Sequence, residues 1–191
     1  MATSSHIAHV PQLSDEQIVD PLLAEVVDRA EMTKSPPPSW YRTMGHNPNV
    51  AVAFGAYWEG LHRGGLVGHE IKELCRIQIA QMIGCEFCSK QVSPLAEIGA
   101  EVKSSCALPD WEHPDLRTRA ALHYARTLTL DDGRDAEVYA ELREHYSFAE
   151  VIELAAFFTL TAGGNRMAKS WSIEEETGDV IPEGVMSIHG R

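Results

Sequence analysis

The octapeptide "IQIAQMIG", Ile77 to Gly84, limits this chain more than any other stretch. It carries no charge and little polarity. Wound as a helix it would be apolar nearly all round, and such a helix belongs in the middle of a protein. We therefore read Glu70 to Gly84 as a central, buried helix. Its first half bears Glu73 and Arg76. A buried carboxylate is costly unless it is paired or hydrogen-bonded. Spaced i, i+3, these two can pair with each other.

The rest of the chain is also helical in pattern. No stretch keeps the period-two alternation of a strand for long, whereas apolar spacing of three and four recurs. Ser14 opens a capping-box pattern, "SDEQ", ahead of a stripe that includes Ile18, Val19, Leu22, Leu23 and Val26. Pro21 offers a later start, with Asp20 as cap. "TKSPPPSW", Thr33 to Trp40, reads as an extended connector. Asn47–Pro48 starts the next helix, and "HRGGLVGHE" breaks it. Ser93–Pro94 is read as the start of another, Leu116 to Leu128 as the next, and "DDGRD" as a turn. A short amphipathic helix carries Val138 and Leu142. "SFAE", from Ser147, is a capping box before a strongly apolar helix that Gly163–Gly164 should end. The expectation is an all-α, compact helical bundle of about seven helices. We divide the chain into an N-terminal helix and Pro-rich connector (1–44), a helical domain (45–172) and a polar tail (173–191).

At 191 residues the chain suits one domain with a sizeable core. A net charge of −12, with 16 scattered basic residues, argues against a nucleic-acid partner. No apolar run reaches the roughly 18 residues of a membrane helix. The N-terminus lacks a basic segment followed by an apolar one, so no secretory signal is read and a cytoplasmic location is expected.

Two of the four cysteines lie three apart in "GCEFCSKQV". A structural zinc site would need a second pair or closely spaced histidines, and Cys75 and Cys106 stand alone. A passive core pair is open, because free cysteine packs as a small hydrophobe. The third reading is redox. Cysteines at i, i+3 can approach disulfide geometry, and their thiolates gain from a nearby cation. Lys90 offers such charge, while Glu86 opposes it.

The segment "EIKELCRIQIAQMIGCEFCSK" resembles the core motif of the carboxymuconolactone decarboxylase superfamily, in its alkylhydroperoxidase-D-like branch. Glu73 stands twelve residues before Cys85, as in that motif. "NPNVAVAFGAYWEGL", "RTRAALHYARTLT" and "FAEVIELAAFFTLTAGGNRM" are similar to the family's flanking helices, so the resemblance spans about residues 45 to 170. It implies an alkylhydroperoxidase-D-like all-α fold and homo-oligomers, trimers or hexamers. By position it makes Cys88 the attacking thiol, Cys85 the resolving one and Glu73 part of a proton relay. The implied substrate is a small molecule, a peroxide or an organic acid, with a dithiol reductant as partner and no cofactor or metal.

One position departs from the pattern. Four residues after the second cysteine the peroxidases carry a histidine, and here Val92 stands there. Phe87 stands where another histidine is sometimes found. Proton transfer at Cys88 would fall to Glu73, water, Gln91 or Lys90, or to His123 reaching in from another helix. The expected consequence is a Cys88 thiol of higher pKa than in histidine-bearing relatives, and a peroxidase weak at pH 7. The superfamily's decarboxylases of carboxylated lactones, which do not depend on the cysteine pair, supply the alternative reading of a lyase. A non-catalytic oligomeric binding protein is the third.

Overall fold

The computed structural model describes residues 8–130, 135–173 and 181–189. Among the described residues there are nine α-helices and no strand. They are α1 (Pro21–Thr33), α2 (Pro38–Met44), α3 (Pro48–His62), α4 (His69–Ile83), α5 (Glu86–Lys90), α6 (Ala100–Ser105), α7 (Leu116–Leu130), α8 (Ala136–His145) and α9 (Phe148–Trp171). The all-α expectation holds. The number rises from about seven because α2 and α5 are short helices in segments that periodicity alone does not reveal.

The axis of the fold is α4. It packs chiefly on α7 and α9 and also meets α3, α5 and α6. Every residue from Lys72 to Ile83 is buried, as the apolar run requires. Gly84 ends the helix in the left-handed region, at φ 73°, where a side chain would be strained. The chain then turns directly into Cys85 and α5. Around α4, one apolar cluster joins α4, α7, α8 and α9. A second joins α1, α2 and the cysteine turn, with Trp40, Tyr41, Ala80, Cys85 and Cys88 among its members.

The local signals fared unevenly. The capping box at Ser14 forms, but it caps only a 3₁₀ turn, Asp15–Gln17. The first α-helix starts at the later position, where Asp20 accepts from Leu22 N (2.9 Å) and Leu23 N (3.0 Å). The proline run does not stay extended through Trp40. Pro37 is the N-cap and Pro38 the first residue of α2, since a proline at the first helical position gives up no needed donor. Ser93–Pro94 starts no helix; α6 begins only at Ala100. Gly163–Gly164 does not stop α9, which runs on to Trp171. A glycine costs a helix only about 1 kcal/mol. The turns beyond the pair bury Asn165 and Ala168, and Lys169 Nζ donates to Ile83 O at 2.8 Å.

The turn expected at "DDGRD" falls largely on residues 131–134, outside the described residues. Of the tail, residues 181–189 are described and are tied to the body. Met186 N donates to Ala107 O (3.1 Å) and Ile188 N to Met82 O (3.2 Å). Among the described residues no helix is long and apolar enough to cross a membrane. The aromatic side chains of Trp58, Phe157 and Phe158 are all buried within this one chain.

Candidate functional site

The end of α4 and the turn after it place Glu73, Arg76, Cys85 and Cys88 together. Cys85 caps α5, and its Sγ accepts from Cys88 N at 3.3 Å. The two cysteines form a disulfide, with Cα atoms 5.3 Å apart. Cys75 and Cys106 are free thiols in the core, and burial pushes the Cys106 thiol up to about 12.

Arg76 joins the carboxylate to the cysteine turn. Its Nε and Nη2 donate to the two oxygens of Glu73 (2.8 and 2.9 Å), as the i, i+3 spacing predicts. Its Nη1 donates to Cys88 O at 2.7 Å, and Nη2 also bonds Gln91 O. One guanidinium thus holds both ends of the turn that carries Cys88. That contact spans twelve residues of sequence and left no trace in any local pattern.

Glu73 takes two further donors. Ser93 N reaches Oε1 at 2.7 Å. His62 Nε2 lies 2.7 Å from Oε2, and because a carboxylate only accepts, this ring nitrogen bears the proton. Burial alone would raise the Glu73 carboxyl, but Arg76 and His62 outweigh it and hold the group well below the usual carboxylate range. Burial pushes the His62 imidazole down to about 4, against the pull of Glu73. At neutral pH the cluster is therefore Glu73⁻, Arg76⁺ and neutral His62. His69 supports it: its ring meets that of His62 edge-on at 4.5 Å, and its Nε2 sits 2.8 Å from Ser93 Oγ. These bonds fix Ser93 outside a helix.

Sequence reasoning missed His62 and His69. Both lie at the edges of a segment read only as a helix break. The usable signal was indirect: a fully buried glutamate needs more donors than one arginine supplies. His123, considered as a substitute for the absent histidine, is elsewhere, with Nδ1 2.7 Å from Glu141 Oε2 on α8. Val92 packs against the apolar cluster around α4.

A cavity that opens to solvent lies against the cysteine turn. Cys88, Arg76 and Gln91 form one side of it, and Trp40, Phe54, Trp58 and Phe87 give it an aromatic wall. Cys85 is not part of the wall. The segment Ser35–Pro37 closes one edge, held where Trp58 Nε1 donates to Ser35 O (3.1 Å) and Arg63 Nη2 to the same oxygen (2.6 Å). No group of histidine, cysteine or acidic residues able to hold a metal occurs among the described residues.

The chain matches no family model. It is 26% identical to the uncharacterized protein YdfG of Bacillus subtilis (strain 168) over 108 residues, 53% of this chain and 74% of that protein. Among solved structures it resembles a cysteine-to-alanine variant of the debrominase Bmp8 in complex with 2,3,4-tribromopyrrole. The TM-score is 0.74 at 23% identity, over 88% of this chain and 91% of that one. Apo Bmp8 gives 0.72 at 24%, over 88% and 92%. An uncharacterized peroxidase-related protein from Ralstonia eutropha JMP134, described as an alkylhydroperoxidase AhpD core, gives 0.68 at 20%, over 89% and 93%. The chain therefore has the all-α fold of the alkylhydroperoxidase AhpD core, the fold that its Glu73–Cys85–Cys88 motif led us to expect.

Proposed function

We propose that this protein is a thiol-dependent oxidoreductase in which Cys88 and Cys85 alternate between dithiol and disulfide beside an aromatic pocket. The observation that carries this reading is the asymmetry of the pair. The two sulfurs are bonded to each other, yet of the two residues only Cys88 lines the cavity. Cys88 is then the attacking thiol and Cys85 the resolving one.

With a peroxide ROOH, the Cys88 thiolate attacks one oxygen and the O–O bond breaks. A sulfenic acid forms on Cys88, and RO⁻ takes a proton to leave as ROH. The Cys85 thiol attacks the sulfenic sulfur, water leaves, and the disulfide forms. A dithiol reductant returns the pair to thiols. In this scheme Arg76 positions Cys88 by bonding the carbonyl of that residue and that of Gln91. Glu73, ionised and bonded to four donors, is a positioning residue that holds Arg76 at the cysteine turn. This differs from the proton relay that the resemblance implied.

A second reading uses the same thiols. The similar protein Bmp8 is a debrominase seen with a brominated pyrrole, and the wall here is aromatic. Reductive removal of bromine from a ring balances in the same way: Ar–Br and two thiols give Ar–H, a disulfide, bromide and a proton. A lyase acting on a carboxylated lactone draws less support. Arg76 is the one charged side chain among the described residues of the wall, and Glu73 already neutralises it. Self-assembly into trimers or hexamers is part of the proposal, and exposed Phe148 and Ile152 on α9 are among the apolar side chains open to such contacts.

The test is peroxide consumption by the reduced protein with dithiothreitol as reductant, for wild type and Cys88→Ser. Wild type should turn over and Cys88→Ser should not. Mass spectrometry after mild oxidation and alkylation should show Cys85 and Cys88 lost to the reagent together. If both stay freely alkylated, the redox reading fails.

A further inference from the structure

Three residues of the cavity wall each carry a buried side-chain atom with no hydrogen-bond partner: Trp40 Nε1, Thr161 Oγ1 and Asn165 Nδ2. The residues are only 4%, 1% and 6% exposed. Each lost bond to a buried polar group costs roughly 1–3 kcal/mol, so natural proteins seldom leave one unmade. Here three are gathered on one wall.

The contrast with equivalent groups nearby is informative. Trp58, on the same wall, gives its indole N–H to Ser35 O. Helical threonines ordinarily bond the carbonyl four residues back. Thr129 does so at 2.7 Å, and Thr159, on the same helix as Thr161, does so at 2.8 Å. Thr161 does not. Three of the seven buried, unpartnered side-chain atoms among the described residues thus belong to residues of the cavity wall.

Their chemistry defines what would satisfy them. An indole N–H and an amide NH₂ only donate, and a hydroxyl can donate. The complement is an acceptor. Charge is disfavoured on the same wall, because Glu73 neutralises Arg76, and four of the guanidinium's five N–H groups already serve Glu73, Cys88 O and Gln91 O. A carboxylate would enter with no cation left to meet it. The remaining surface is aromatic, with Phe54 stacked on Trp58 at 5.9 Å and tilted against Trp40 at 5.4 Å.

We propose that this cavity binds an uncharged, planar aromatic or heteroaromatic molecule bearing a hydrogen-bond acceptor such as a carbonyl. The ring packs against Trp40, Phe54, Trp58 and Phe87, and Trp40, Thr161 and Asn165 donate to the acceptor. The proposal rests on the reading of this cavity as the place where substrate meets Cys88, and it names the class of that substrate.

The test is a titration of the oxidised, full-length protein with acetophenone, ethylbenzene and benzoate, followed by ¹H–¹⁵N spectra. Acetophenone should bind about fivefold or more tightly than ethylbenzene, the gain of one or two bonds to waiting donors. It should shift the Trp40 indole N–H downfield, as ethylbenzene should not. Benzoate should bind most weakly. Asn165→Leu and Thr161→Val, each close to isosteric, should lower the acetophenone affinity toward that of ethylbenzene and leave ethylbenzene unchanged. Equal affinity for the two neutral probes would overturn the proposal, as would tightest binding of benzoate or equal weakening of both neutral probes by the variants. The peroxide assay is independent. If turnover is absent while the probe pattern holds, the thiol chemistry falls and the ligand class stands. Turnover without the probe pattern overturns the ligand class alone.

Discussion

Lys72 and Glu73 are neighbours on α4, both fully buried, and each brings a charge into the core. They leave the helix in different directions and do different things. Lys72 Nζ donates to Leu61 O, to Gly64 O (2.5 Å) and to Glu153 Oε1 (2.9 Å). Glu153 in turn accepts from Leu66 N (2.5 Å) and Val67 N (3.1 Å). This cluster closes the loop between α3 and α4 and fastens it to α9. None of its members lines the cavity. Glu73 instead holds Arg76, which lines the cavity and grips the carbonyl of Cys88. The difference teaches that a buried ion pair does not by itself mark a functional site. What marks one is the pair's contact with a reactive group and a cavity.

The harshest way to break the comparison is Lys72→Met. It leaves Glu153 without its cation and should cost about 3–5 kcal/mol, read as a lower midpoint of urea unfolding. Thiol chemistry of the molecules that remain folded should be unchanged. Loss of Cys88 reactivity in that variant would mean that the two clusters are not separate.

Acid should reveal the Glu73 side. His62 has a folded pKa of about 4 against 6.5 unfolded, so between those values the unfolded chain binds the extra proton. Stability should fall as pH drops from 6.5 to 4, by about 3 kcal/mol in total at 1.36 kcal/mol per unit. Glu73, held below its ordinary range, adds a further loss below about pH 4.5 in the same direction. His62→Gln should flatten the first part of the profile and keep the second. Urea midpoints from pH 7 to pH 4 that do not move in wild type would show that His62 is not buried and neutral.

Gly65 sharpens the structural side. It sits at φ 91°, and a Cβ there would fall on the Glu153 carboxylate. Gly65→Ala should destabilise by about 2 kcal/mol through backbone strain and the displaced carboxylate. A thermal midpoint equal to wild type would show that the loop adapts freely.

The smallest effect separates the clusters by chemistry. Glu73→Gln combined with Arg76→Met removes both charges and so leaves no unpaired ion in the core. The fold should survive, while the turn that carries Cys88 loses its guanidinium anchor. Alkylation of the reduced protein by iodoacetamide at pH 7 should then differ in rate from wild type. The sequence leads us to expect a high Cys88 thiol pKa in wild type, which the pH dependence of the same alkylation measures. Equal alkylation rates in the two proteins would show that Arg76 does not position Cys88.

Legibility followed the range of the interactions. The buried axis was readable because "IQIAQMIG" has no polar face. Asn47 and Ser147 were readable as caps because a cap acts over three residues. The Glu73–Arg76 pair was readable because one helical turn spans it. The reach of α9 past Gly163–Gly164 was not, since the glycines' small helical penalty is outweighed by burial against other helices. His62 and His69 were not, since their partners lie on other elements.

The sequence by itself determined a helical protein built around α4, with Glu73, Cys85 and Cys88 at fixed spacing on and after it. Those features depend on local periodicity and on separations along one helix. Only the tertiary structure decided what surrounds them. It sent Lys72 and Glu73 to different partners, brought His62 in place of His123, and gave Cys88 rather than Cys85 a cavity wall. It also left Trp40, Thr161 and Asn165 without partners there. Each of these depends on how helices far apart in sequence pack against α4, and that packing is a property of the whole core rather than of any one segment.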